Sequence, residues 1–195
     1  VTFESGEIRS FTIQNGNYNN GSGGGIRADG IDSLFIDNIL ITNNYAVHGG
    51  GIWAGTALDY IEITNTVISN NSAVNGGGAY LDNVTIADNN AFDGGGIYGG
   101  GTLINCLVKN NTASNDGGGI YGSGYFENVI ISGNVAQDWG GGICMGSYSG
   151  GWIKNVIIEN NEAGTGGGIA ILNCSPLLEN VLIQNNHSDY AGGGM

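Results

Sequence analysis

The sequence predicts an all-β protein: a right-handed, single-stranded parallel β-helix (a solenoid) of about eight rungs. Glycine triplets recur along the chain and begin at residues 23, 49, 76, 94, 117, 140, 166 and 192. The intervals between them are 18 to 27 residues, a spacing typical of solenoid repeats. Seven of the triplets are preceded by an asparagine that opens an apolar tripeptide, and a second asparagine follows six residues later.

The apolar tripeptides predict β-strands. Most of their residues are β-branched, and they are bounded by Asn and Gly, which disfavour helix interiors. Because a single rung cannot bury its apolar face, stability must come from stacking one rung on the next. A degenerate first repeat, residues 10–13, begins the series. The tripeptides of the other seven repeats follow Asn38, Asn65, Asn83, Asn105, Asn128, Asn155 and Asn180.

The second asparagine of each repeat predicts a structural ladder. Stacked coils place equivalent residues about 4.8 Å apart, so each side-chain amide can hydrogen-bond to the amides above and below it. Paired asparagines can also adopt left-handed backbone geometry at the bend. The glycine triplets allow a tight corner and a close approach of successive coils. The ladder residues are Asn44, Asn71, Asn89, Asn111, Asn134, Asn161 and Asn186.

Composition limits the class of function. The 195 residues include four basic and 17 acidic side chains, for a net charge of −13, which excludes the basic patches that nucleic acids and anionic membranes require. No stretch reaches the roughly twenty apolar residues that span a bilayer, so membrane insertion by this segment is not expected. Residues 1–195 are predicted to form a single β-helix domain, which we expect to be a segment of a longer polypeptide.

The three cysteines are too few for a disulfide framework, although a bridge between Cys144 and Cys174 is conceivable.

Two stretches carry a resemblance to a known family. Residues 68–79 (Ile-Ser-Asn-Asn-Ser-Ala-Val-Asn-Gly-Gly-Gly-Ala), and residues 108–113 together with 117–120, resemble the repeats of chlamydial polymorphic outer-membrane proteins. Those repeats pair an aromatic-x-x-Asn motif with a Gly-Gly-x-Ile motif, whereas this sequence has Ile or Val in place of Phe and Gly-Gly-Gly in place of Gly-Gly-Ala. The resemblance covers the chain from about residue 8 onward. It implies secretion, a solenoid like an autotransporter passenger and often adhesion, but no ligand and no catalytic residues.

The middle residues of the tripeptides predict an apolar partner-binding stripe. Side chains alternate between the two faces of a strand, yet the middle residues and their flanking residues are both apolar. One set must therefore point outward, and an exposed stripe of this length would exceed the apolar patch expected of a monomer. We expect it to be covered by another copy of the protein, in a homo-oligomer or filament, or by another segment of the same chain. The candidate residues are Leu40, Val67, Leu107, Ile130, Ile157 and Leu182.

Aromatic residues after the glycine triplets form a second candidate surface. Trp53, Tyr80, Tyr98 and Tyr121 each follow an apolar residue that should point inward, so their rings should point outward. Exposed rings could bind glycans or a protein partner. The alternative is an aromatic stack that stabilises the coil.

Three carboxylates precede successive triplets, on adjacent rungs: Asp93, Asp116 and Asp138. Close carboxylates can carry out acid–base chemistry or hold Ca²⁺, but other rungs have Ser, Thr, His or Asn near this position, as a turn would. We expect a turn-capping role and no cofactor, with calcium as the alternative.

The sequence therefore favours a non-catalytic, extracellular or cell-surface β-helix that acts as a scaffold, an adhesin or a self-assembling building block. The alternative is a carbohydrate-active enzyme, a polysaccharide lyase or glycoside hydrolase, because such enzymes share this fold. Against it, the four basic residues Arg9, Arg27, Lys109 and Lys154 fall in separate rungs, and no nucleophile motif or metal-ligand spacing is present.

Overall fold

The described secondary structure consists of short parallel β-strands that stack into walls running along a coil. The computed structural model describes residues 2–3, 6–28, 33–54, 60–73, 80–99, 101–146 and 150–195, and these residues contain no helix. Each of the two main walls holds eight strands. Eight stacked strands are joined by seven steps, so the prediction of a parallel β-helix of about eight rungs is confirmed as a parallel solenoid of about seven turns.

The first wall lies directly before the asparagine that opens each tripeptide. All its strands pair in parallel with the equivalent strand of the next turn. The strands are Gly6–Arg9, Ser33–Asp37, Tyr60–Thr64, Tyr80–Asp82, Gly101–Ile104, Gly124–Glu127, Trp152–Lys154 and Leu177–Glu179.

The second wall contains the predicted tripeptide strands, and its register is the one that the repeat dictates. The middle residues of the tripeptides align across all eight strands. The strands are Thr12–Gln14, Leu40–Thr42, Val67–Ser69, Thr85–Ala87, Leu107–Lys109, Ile130–Ser132, Ile157–Glu159 and Leu182–Gln184.

The third wall follows the ladder asparagines, and its strands vary in length from two to six residues. It comprises a two-stranded and a five-stranded sheet, which isolated bridges through Ser72 connect. Its strands are Asn17–Ser22, Tyr45–His48, Asn90–Ala91, Thr112–Ala113, Val135–Ala136, Glu162–Thr165 and His187–Ala191.

The strands after the glycine triplets form two further sheets rather than one continuous wall. The three-stranded sheet holds Thr2–Phe3, Ile26–Ala28 and Ile52–Ala54, and the four-stranded sheet holds Ile97–Tyr98, Ile120–Tyr121, Ile143–Met145 and Ile169–Ile171. The triplet of residues 76–78 lies outside the described residues, as do residues 55–59 and 147–149 of the two loops that lengthen the repeats.

The core fills the inside of the coil with branched aliphatic side chains. In the seven repeats that open with asparagine, the two residues flanking the middle residue of the tripeptide point inward: Val129 and Ile131, on either side of Ile130, are 1% and 0% exposed. The first wall contributes a parallel inward column that includes Phe126, which is fully buried. In these two walls one face of the strands is thus committed to the core, which fixes the opposite face as the outer surface of the coil.

Left-handed residues and glycines turn the corners between walls. Asn105 and Asn110, at the two ends of one second-wall strand, both have φ of 53°. Asparagine tolerates this conformation better than most residues. At the next corner Gly117 has φ of 66°, and a Cβ on Gly118 would lie 2.5 Å from the carbonyl oxygen of Gly141 in the next turn. The triplets are therefore needed both for the bend and for the close approach of successive turns.

The buried asparagine ladder satisfies every polar atom of its side chains. The Oδ1 atom of Asn111 accepts hydrogen bonds from the backbone N–H and the Nδ2 group of Asn89, each at 3.0 Å. Its own Nδ2 group donates to Oδ1 of Asn134 and to the carbonyl oxygen of Ile86, again at 3.0 Å. Six of the seven ladder residues are buried and Asn186 is partly buried. The carbonyl oxygens that the seven ladder residues bond belong to Ile13, Ile41, Ile68, Ile86, Val108, Ile131 and Ile158.

Replacing a ladder asparagine with leucine should destabilise the fold. In Asn111→Leu or Asn134→Leu, the amides of the neighbouring turns and one strand carbonyl lose their partners inside the core. Each change should lower the free energy of unfolding by roughly 1–3 kcal/mol, measured by thermal or denaturant unfolding. Thr112→Leu, at an exposed position beside the ladder, is the control and should leave stability nearly unchanged. Equal stability of all three variants would contradict a structural role for the ladder.

Candidate functional site: the outer faces of the walls

The middle residues of the tripeptides form the outward stripe of the second wall. Leu40, Val67, Ile130 and Leu182 are 37%, 39%, 41% and 48% exposed, and Leu107 and Ile157 are half-buried. Their flanking residues face the core, which settles which set points outward. The stripe also includes Thr12 and Thr85 in register with the aliphatic residues. Whether it binds a partner stays a prediction.

The second wall is almost uncharged, in contrast to the first. Next to the stripe runs the other outward column of this wall, whose only charged members are Lys109 and Glu159. The outer face of the first wall carries two cations, Arg9 and Lys154, and six carboxylates: Glu7, Asp37, Glu62, Asp82, Glu127 and Glu179. In a protein with a net charge of −13, the second wall is thus a surface with balanced charge.

The first wall has an exposed apolar and aromatic column that the sequence reasoning missed. Phe35, Trp152 and Leu177 are 40%, 39% and 59% exposed. Tyr125 and Trp152 form an edge-to-face pair with ring centroids 5.3 Å apart, and Nζ of Lys154 lies 5.5 Å from the Trp152 ring. The column is visible in the sequence as the residue three places before each opening asparagine, and it includes Glu62 and Thr102 as well as the apolar residues.

The alignment of Tyr80 with the aromatic residues that follow the triplets is wrong. Its backbone pairs with Glu62 and Thr102 in the first wall, whereas Tyr98 and Tyr121 lie in the four-stranded sheet. The interval between the triplets on either side of Tyr80 is 18 residues, the shortest in the chain. The first-wall strand Tyr80–Asp82 begins two residues after the end of that triplet in the sequence, so counting forward from the triplet assigns Tyr80 to the wrong wall.

The remaining aromatic residues form two separate groups. Trp53 pairs with Arg27 in the three-stranded sheet, and its ring lies 5.9 Å from the Arg27 guanidinium carbon. Tyr98 and Tyr121 stack on one another with ring centroids 5.1 Å apart and an interplanar angle of 12°. Because these two rings use one face each against the other, the geometry favours an aromatic stack along the coil.

The carboxylates before the triplets cap the turns of adjacent coils. Asp93 accepts hydrogen bonds from the Asn115 side chain at 2.8 Å and from the Asp116 backbone at 3.3 Å. Asp116 accepts one from the Trp139 backbone N–H at 3.1 Å. These bonds confirm the turn-capping role for Asp93 and Asp116, whereas a capping role for Asp138 stays a prediction. Within the described part of the chain, no group of three or more His, Cys, Asp or Glu side chains could hold a metal ion.

The three cysteines are free thiols. Burial raises the pKa of Cys106 to about 11 and that of Cys144 to about 12, and the carboxylates of Asp116 and Asp93 contribute at Cys144. Both are therefore protonated at neutral pH and are poor nucleophiles. Cys144 pairs in the sheet with Ala170, not with Cys174.

A second asparagine column runs along the outside of the coil, at the corner between the first and second walls. The Nδ2 group of Asn128 donates to Oδ1 of Asn105 at 3.2 Å, and the Nδ2 group of Asn180 donates to Oδ1 of Asn155 at 2.8 Å. These are the opening asparagines of the repeats, so the sequence contained the signal for a second ladder. It makes one of the outer edges of the coil rigid and polar.

The repeat geometry agrees with a known repeat family. Residues 105–123 and 128–145 match the Chlamydia polymorphic membrane protein repeat. Each matched segment begins at an opening asparagine, runs through the second-wall strand, the ladder residue and the triplet, and ends at or within two residues of the end of the following strand. The matches cover about a fifth of the chain and confirm the resemblance seen in the sequence.

Proteins of this repeat family are associated with the outer membrane and cell surface and are generally non-catalytic. Searches of curated proteins and of solved structures gave no significant match. Among the described residues, no helix is long and apolar enough to cross a membrane.

Asp116 should make stability depend on pH. Burial raises its pKa, the hydrogen bond from Trp139 opposes the shift, and the charges of Asp93 and Asp138 add to it. The pKa of Asp116 is therefore higher in the folded protein than in the unfolded chain. As the pH rises from the unfolded-state pKa through the folded-state pKa, ionisation of Asp116 lowers the stability of the folded protein. Asp116→Asn keeps the acceptor without the charge, so it should raise the melting temperature at pH 7 and change little near pH 2, where the carboxyl is protonated. An equal gain at both pH values would contradict this assignment.

Proposed function

We propose that this chain is the non-catalytic repeat region of a surface-displayed protein of the autotransporter-passenger type. It acts as a rigid scaffold whose outer walls bind partners, in adhesion and in self-association. The observation that carries the proposal is the match of two adjacent repeats to the polymorphic membrane protein repeat. The same wall order and the same ladder continue through the turns on either side of those repeats.

The physical basis of such a role is the constant distance between stacked turns, which places equivalent side chains at regular intervals along a stiff coil. Seven steps of about 4.8 Å give a rod of roughly 34 Å over the described turns. Each outer column presents one side chain per step, so a partner that matches the spacing can make several weak contacts at once. Several modest contacts on a rigid support give more avidity than any one of them alone.

For self-association, the second-wall stripe is the surface that we propose. Its aliphatic side chains are up to 48% exposed, and burying them against another copy would remove apolar surface from water. Two copies with a net charge of −13 each repel one another. That repulsion is weakest where the outer face carries one cation and one carboxylate, as the second wall does.

Charging the stripe should abolish self-association. In Leu107→Asp/Ile157→Asp, two carboxylates would have to be desolvated in an apolar contact, at a cost of several kcal/mol. We expect the variant to sediment as a monomer at concentrations where the unmodified protein associates, with an unchanged circular dichroism spectrum. Thr102→Asp/Thr112→Asp adds the same charge to the other two walls and should still associate. An unmodified protein that is monomeric at every concentration would contradict the proposal.

The alternative is a carbohydrate-active enzyme, and it rests on Asp93, Asp116 and Asp138. Two observations weigh against it: Asp93 and Asp116 accept hydrogen bonds from the backbone of the following turn, and the four basic residues lie in separate turns.

We expect no turnover when the protein is incubated with a panel of acidic and neutral polysaccharides and the products are analysed by chromatography. Robust turnover that is lost in Asp93→Asn or Asp116→Asn, with the fold retained, would overturn the non-catalytic assignment.

A further inference from the structure

The charged residues of the second wall are placed symmetrically about one of its strands. Lys109 pairs with Ser132, and Ser132 pairs with Glu159 on the other side. The cation and the carboxylate therefore lie one strand spacing, about 4.8 Å, on either side of Ser132 in the same outward column. The described residues offer Lys109 no ion pair, and the only hydrogen bond to the Glu159 carboxylate comes from the Gln184 side chain.

From this placement we infer that two copies of the chain pair face to face through their second walls, with coil axes antiparallel and a two-fold axis along the strand Ile130–Ser132. The inference rests on the proposed function, since it specifies how the stripe would be covered. A rotation of 180° about that axis leaves each residue at the same position along its strand. It places the strands that follow Ile130–Ser132 in one copy opposite the strands that precede it in the other. Lys109 of each copy then faces Glu159 of the other, so the contact is isologous and closed.

The same rotation matches the apolar stripe to itself. Ile130 meets its own counterpart on the axis, and Leu107 faces Ile157 of the other copy. Leu182 faces Thr85, in the last strand pair that overlaps. The charges and the aliphatic residues thus agree on one register, whereas parallel copies would place Lys109 opposite a second Lys109. A closed pair also differs from the filament that the stripe suggested in the sequence, because both copies use the same part of the second wall, from Thr85 to Leu182, and that part is then occupied in both.

The contact is small, and this determines how it must be measured. Five strands of three residues overlap in each copy, an area of about 10 by 24 Å from the strand spacing and rise. Stable dimers bury about 800 Å² per partner. The pair is therefore weak, and it should be studied by cross-linking and by sedimentation at high protein concentration.

A cross-linking experiment tests the position of the axis. In the full chain with Cys174→Ser, Ser132→Cys puts one thiol of each copy on the axis, about 10 Å apart across the packed sheets. A short homobifunctional maleimide should then give a covalent dimer. Gln184→Cys is the matched control: it is also outward on this wall, but its two thiols would be about 19 Å apart along the coil. Equal dimer yields from the two variants would overturn the inference.

Charge reversal tests the register independently. By symmetry, Lys109→Glu alone and Glu159→Lys alone each replace two attractive contacts with two repulsive ones, and should weaken the dimer about tenfold. The double variant Lys109→Glu/Glu159→Lys restores both contacts and should recover the original affinity. A mixture of the two single variants should form heterodimers in preference to either homodimer. Circular dichroism and thermal unfolding verify that each variant folds.

The failure of this inference can be told apart from the failure of the proposed function. If Leu107→Asp/Ile157→Asp dissociates the protein but the double charge reversal does not recover what either single reversal loses, the stripe is a contact and the antiparallel register is wrong. If neither set of variants changes the association state, both the register and the stripe contact are overturned.

Discussion

The hydrogen bonds that join one turn to the next through the buried asparagines are the constraint on which this structure depends. A corner inside the coil exposes backbone groups to an apolar core, where an unpaired donor or acceptor is costly. The asparagine side chain satisfies such groups with both of its polar atoms. Its oxygen accepts two hydrogen bonds from the previous turn, and its nitrogen donates to the next turn and to a strand carbonyl. No buried side-chain nitrogen or oxygen among the described residues lacks a partner. A turn that carried another residue here would leave its neighbours unsatisfied, so the ladder ties the stack into a unit.

Once the ladder fixes the stacking, the faces of the strands follow. Each second-wall strand is only three residues long, bounded by a left-handed corner residue at each end, for example Asn105 and Asn110. The tripeptide overlaps this strand but begins one residue earlier, so its outer residues, Cys106 and Val108, face the core and its middle residue, Leu107, faces outward. The same arrangement that makes the core continuous also makes the outer columns continuous. The coil thus repeats each outer column once per turn without any added loop.

The first and second walls differ in the charge of their outer faces. The first wall carries most of the strand carboxylates, some held by local contacts such as the Lys154–Glu127 ion pair of 3.3 Å. The second wall carries aliphatic residues and only one residue of each charge. The most strongly charged and the most apolar outer surfaces thus lie on different sides of the same coil. This division makes a specific contact between like-charged molecules physically reasonable.

The sequence alone determined the repeat, the parallel stack, the buried ladder and the identity of the outward or inward columns, up to one choice. These features depend on local spacing: a second asparagine six positions after the first, alternation of side chains along a strand, and glycine at fixed corners. The sequence did not locate Tyr80, because in the shortest repeat the first-wall strand begins two residues after the triplet, and only backbone pairing shows which wall this strand joins. It also missed the column that contains Phe35, Tyr125 and Trp152, because the same column also contains Glu62 and Thr102, so that its aromatic character is interrupted along the sequence.

Which column faces solvent was the choice that the sequence left open, since both sets are apolar. The tertiary structure decided it, because the left-handed corners on both sides of the tripeptide turn its flanking residues inward. The balance of charge on the second wall was likewise invisible in a linear reading. Lys109 and Glu159 are 50 residues apart in the sequence, and only the stacking of successive turns brings them within two strand spacings of one another.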